Sequence, residues 1–158
     1  MHSARAKVNQ QVAWCQLLIS QCESLELPWQ QQALAQSLVW HLQAAYVSFL
    51  QELAADLRFT VTKLESAQDL LNAVPEGRAA PQEILELGRL EQGESWLSAL
   101  RGQLSPMQTE VTSEPAEGNK VELIAVSGCG RLDLPGARGV LSCMIELIER
   151  NRSLSAES

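Results

Sequence analysis

The chain has 158 residues, 46% of them hydrophobic, which suits one domain with a real core. Its formal net charge of −7 sets the average surface field against a phosphate backbone and argues against nucleic acid as a partner. No apolar run is long enough to cross a bilayer, and the opening MHSARAKVNQQVAW lacks the apolar centre and cleavage site of a signal peptide, so no membrane partner and a cytoplasmic location are expected.

The first helix is expected from about Ala4 to Ser24. Val8, Val12, Cys15, Ile19 and Cys22 step by four, three, four and three, which makes one apolar seam. Pro28 suits the first turn of a second helix, where its missing N–H is no loss. That helix runs to about Leu57 and would span about 45 Å. Its stripe is Leu34, Leu38, Leu42, Ala45, Phe49 and Leu53. Thr62-Lys63-Leu64-Glu65 reads as a capping box opening a third helix that ends at Pro75. Pro81 opens a short helix through Leu87, with Gly88 and Gly93 as punctuation. A further helix is expected over 94–104, with Trp96, Leu97, Leu100 and Leu104 turned inward. Residues 105–120 read as a flexible acidic linker. VELIAV, residues 121–126, is the one strand-like run. Asp133 caps a last helix that Pro135 helps to start and that runs to about Asn151.

The fold expected from these elements is mainly α: one domain over 1–158, an antiparallel bundle of about four main helices with short extra helices and one isolated strand-like segment. The last helix carries an unusually wide apolar surface, which belongs at the centre of a bundle or in an interface. Val140, Leu141, Met144, Ile145 and Ile148 are its candidate contact residues, for a second copy of the chain or another protein.

Chemistry has little motif support. Gly128-Cys129-Gly130 follows the strand-like run, but Ala137 and Arg138 stand after Gly136 where a phosphate-binding loop needs Lys-Ser or Lys-Thr. Asp133 sits where a dinucleotide loop needs glycine. Cys15 and Cys22 would lie about 10 Å apart along one helix, too far for a disulfide. No Glu-x-x-His repeat supports a di-iron bundle. No histidine follows His41, which argues against catalysis of the bundle-ribonuclease type, since that needs an Arg-x-x-x-x-His motif on a late helix.

The candidate ligand-binding residues are His41, Glu52 and Asp56. With Leu38 as zero, they fall at about 60°, about 40° and in line around the second helix, so all three edge its apolar stripe. His41 and Glu52 are about 16 Å apart along the axis and do not share a metal. Glu52 and Asp56 can form a carboxylate pair. The simpler reading gives His41 a hydrogen bond inside the bundle and pairs Glu52 or Asp56 with an arginine such as Arg5, Arg58 or Arg138. No residue is singled out as catalytic, and neither a metal nor a cofactor is expected.

The early Asn9-Gln10, the HLQAAYVSFLQEL run from His41 to Leu53, the Glu94–Leu100 segment, VELIAV and the closing LPGARGVL together resemble a family of small uncharacterised helical proteins from gammaproteobacteria, classed as a domain of unknown function. The resemblance spans most of the chain. It departs at Ala13-Trp14-Cys15, where an aromatic residue often precedes the first-helix core, and at Ala137, where tryptophan is common. It implies a helical fold and no established activity. The leading functional expectation is a non-enzymatic interaction or scaffold bundle, with a small-molecule or metal-binding bundle near His41 as the alternative.

Overall fold

The computed structural model describes residues 3–103 and 132–157. Those residues form six helices and no strand. The expected strand-like run at 121–126, the linker at 105–120, the glycine loop at 128–130 and Leu104 all lie outside them.

Helix α1 runs Ala4–Ser24. Ser3 caps it by accepting from the Ala6 N–H at 3.2 Å, and the seam residues Val8, Cys15 and Cys22 are buried. Leu25 then turns extended. Helix α2, Pro28–Asp56, starts on its proline with no side-chain cap. Gln31 reaches back from its first turn to donate to the Leu25 carbonyl at 2.6 Å. The short connection makes α1 and α2 an antiparallel hairpin. Five of the six expected stripe residues of α2 (Leu38, Leu42, Ala45, Phe49 and Leu53) are buried.

The end of α2 is a Schellman motif. The Phe59 N–H bonds the Ala54 carbonyl at 2.8 Å and the Arg58 N–H bonds that of Ala55 at 3.1 Å. Arg58 adopts φ 57° to make this turn, a left-handed position that glycine usually takes.

Helix α3 is Ala67–Asn72, so the capping box expected at Thr62 is not where the helix begins. Ser66 and Asp69 form the real box. Asp69 accepts from the N–H groups of Glu65 at 2.8 Å and Ser66 at 2.9 Å, while Glu65 pairs with Lys63 in solvent. Both tetrapeptides carry a capping signature. The later one wins because it puts Ala67 and Leu70 into the core.

Helix α4 runs Gln82–Gln92, through Gly88 rather than stopping before it. A Cβ at Gly88 would touch only a methyl of Leu71 at 3.8 Å, and Ile84, Leu87 and Leu90 keep the inward stripe going past it. Helix α5 is Trp96–Arg101, shorter than the expected 94–104, with Leu97 and Leu100 buried. Helix α6, Leu134–Ala156, begins as expected, with the Asp133 carboxylate accepting from the Gly136 N–H at 2.8 Å. It continues past Asn151 because Arg152 is anchored to α1 and α2.

Three long helices thus carry the bundle. Arg138 pairs with Glu23 at one end of α1 and Arg152 bonds Asn9 near the other, so α6 runs antiparallel to α1. The short helices pack in series, α3 on α2 and α4, α4 on α5, and α5 on α2 and α6. One apolar cluster joins residues of all six helices.

Candidate functional site

Two of the three candidate ligand residues, His41 and Glu52, are held by different partners. His41 Nδ1 lies 2.9 Å from the Gln11 Oε1, which places the proton of the neutral ring on Nδ1. Trp14 and Trp40 meet its ring edge to face, with centroids 5.4 and 4.8 Å away. Partial burial lowers the His41 pKa from its usual value. Nothing cationic is needed to hold this ring.

Glu52 makes a two-pronged ion pair with Arg152. Its two carboxylate oxygens accept from Nε and Nη2, each at 2.7 Å, while Nη1 donates to Asn9 at 2.9 Å. The Glu52 side chain is 5% exposed and that of Arg152 18%. The expected arginine partners were Arg5, Arg58 and Arg138. The actual partner sits one hundred residues away in sequence, beyond what helix spacing can register. Asp56, at the end of α2, is exposed.

A second carboxylate, its side chain 7% exposed, was not singled out in the sequence. Glu91 accepts from the Tyr46 hydroxyl at 2.6 Å, from the Ala67 N–H at 2.8 Å and from Arg101 at 2.8 Å. Burial first, and this carboxylate second, push the tyrosine pKa far above its usual value. Glu91 therefore joins α2, α3, α4 and α5 at one point. Both of its carboxylate oxygens are engaged within the bundle.

The residues expected to make contacts on the last helix face inward. Met144 is fully buried, Val140, Leu141 and Ile148 nearly so, and Ile145 packs partly against the same cluster. The width of that apolar surface is met by neighbours on several sides: α1, α2 and α5.

The exposed apolar side chains lie elsewhere. Trp14 and Leu17 on α1, and Trp29 and Trp40 on α2, are four of the six large hydrophobic residues exposed among the described residues. Trp29 is 66% exposed and Leu17 55%. Trp29 and Trp40 are eleven residues apart, which brings them within about 20° of each other around α2. Trp14 and Leu17 lie on the side of α1 away from Asn9 and Glu23, the residues that meet α6. The His41 ring, between Trp14 and Trp40, joins the two helices' contributions into one outer face. The signal was present: from Val8 to Cys22 no residue carries a formal charge, and from Leu27 to Gln51 His41 is the only titratable side chain apart from Tyr46.

Cys15, Cys22 and Cys143 are free thiols, and burial pushes the Cys15 thiol up to about 12. An open groove of about 340 Å³ is lined by Gln51, Ala54, Ala55, Phe59, Val61, Thr62 and Leu64, and includes none of His41, Glu52 and Asp56. Among the described residues, no group of three or more His, Cys, Asp or Glu side chains is arranged to hold a metal ion. No helix among them is long and apolar enough to cross a membrane.

A family model described as a family of unknown function (DUF6586) matches residues 1–158, and the chain belongs to that family. No curated protein and no solved structure matches it.

Proposed function

We propose that this member of a family of unknown function is a non-enzymatic interaction bundle, acting through self-association or a protein partner. One observation carries the reading. Three of the four tryptophans stand exposed on one hairpin, on a face without formal charge. Tryptophan is enriched at the energetic centres of protein interfaces. The polar groups that chemistry would use are instead occupied by one another: Glu52 by Arg152, Glu91 by Tyr46, Ala67 and Arg101, His41 by Gln11.

Native mass spectrometry of untagged protein tests this. A multimer, or a stoichiometric complex with one co-purified polypeptide, is the expected result. A bare monomer carrying a bound metal or small molecule would overturn it and make His41 the first residue to substitute.

A further inference from the structure

We infer that the outer face of the α1–α2 hairpin is the contact surface for a second copy of this chain, packed antiparallel about a two-fold axis. The inference rests on the interaction reading above and gives it a surface, an occupant and a register.

Charge limits where a second copy can dock. A chain with net charge −7 repels its own copy across most of its surface. The elements α3, α4, α5 and α6 all carry charged side chains, with Glu83, Glu86, Glu146 and Glu149 among them. Between Lys7 and Glu23 on α1, and between Glu26 and Glu52 on the turn and α2, the hairpin has no formal charge. Two such faces meet without like-charge repulsion and without stranding a charge in a dry interface.

The ends of the face set the direction. Lys7 stands at one end of α1 on the Trp14 side, and Glu26 stands in the turn at the other end. Both are exposed, and neither makes an ion pair with another described residue. A parallel pairing puts lysine against lysine and glutamate against glutamate. An antiparallel two-fold pairing puts each Lys7 at the level of the other copy's Glu26, so the two opposite charges meet reciprocally at both ends of the face.

Size is adequate. A face about 30 Å long and two helices wide has a footprint of about 600 Å² per copy, close to the roughly 800 Å² per partner of ordinary stable complexes. Trp14, Leu17, Trp29 and Trp40 supply its apolar centre, and Gln10, Gln21, Gln36 and Ser37 a polar, uncharged surround.

Sedimentation equilibrium of the full chain over a micromolar range is the test. The wild type is expected to be a dimer, and Trp29→Glu to weaken it by roughly thirtyfold or more. Lys7→Glu and Glu26→Lys should each weaken the dimer several-fold, and the double variant should recover most of the loss. All three positions are exposed, so far-UV circular dichroism of each variant should match wild type. A monomer throughout the range overturns the inference, as does a dimer indifferent to Trp29→Glu. In either case a co-purified polypeptide in the mass spectrum would leave the broader interaction reading standing. A monomer whose tryptophan emission shifts to the blue on phosphatidylcholine vesicles would also overturn it, in favour of a lipid surface.

Discussion

Arg152 shows how much one side chain can decide. Its guanidinium matches the Glu52 carboxylate oxygen for oxygen and has Asn9 on its remaining nitrogen. Removing one partner of so enclosed a pair leaves an uncompensated charge, which costs about 3 kcal/mol or more. Arg152→Ala should therefore lower the unfolding free energy by about 3 kcal/mol, read from the urea midpoint. Glu52→Leu with Arg152→Leu should recover much of it, since an apolar pair strands no charge. Proton linkage at buried groups is also specific. The unfolded Cys15 thiol ionises near 9.0 and the folded one only at about 12. The folded state thus holds a proton that the unfolded state has lost, and stability, intact below pH 9, falls above it by about 1.4 kcal/mol per pH unit from this thiol, with Cys22, raised by burial in the same sense, adding to the loss. Tyr46, raised from 10.0, steepens that slope above pH 10. Urea titrations at a series of alkaline pH values should show both breaks, and Tyr46→Phe should remove the second. His41 works in the opposite sense. Its folded pKa is lowered, so its contribution is present above the unfolded value of 6.5 and declines as pH falls through it.

Among the elements, helix ends were the least legible part of the sequence. The long helices announced themselves: their apolar seams repeat over many turns, and α1 spans Ala4–Ser24 as the seam predicts. The start of α3 did not, because Thr62 and Ser66 offer the same local hydrogen bonds and only tertiary burial of Ala67 and Leu70 separates them. Gly88 misled for a related reason, since a glycine's intrinsic cost in a helix is small beside the burial of Ile84 and Leu87. Three substitutions test this account of the ends. Arg58 holds a left-handed position at the close of α2, so Arg58→Gly should raise stability by about 1 kcal/mol. In α6, a Cβ at Gly139 would meet nothing, whereas one at Gly136 would lie 2.9 Å from the capping oxygen of Asp133. Gly139→Ala should stabilise by about 0.5–1 kcal/mol, and Gly136→Ala should destabilise by about 1 kcal/mol through the cap. Thermal melts of the three variants give the ordering.

For the whole molecule, the bundle was legible and its surface was not. Periodicity identifies which face of a helix is apolar but not how many neighbours will cover it, so the wide face of α6 fitted a bundle centre and an interface equally until the fold surrounded it with α1, α2 and α5. Conversely, Trp14, Trp29 and Trp40 sat off the seams, where single exposed side chains are unremarkable until three of them share one face. The apolar cluster runs through every helix, which predicts one cooperative transition: circular dichroism and tryptophan fluorescence should give the same urea midpoint at fixed protein concentration. An earlier fluorescence transition would mean that the hairpin opens by itself. The Glu52–Arg152 pair carries a last consequence, for the time course of folding. Its two ends are one hundred residues apart, whereas α1 and α2 are adjacent. A growing chain can close its hairpin early, yet Glu52 then waits without its partner at the edge of a half-built core until α6 arrives. Docking of α6 should therefore be the late, rate-limiting step of refolding. Arg152→Ala should slow that step little and speed unfolding markedly, as expected of a contact made only after the barrier.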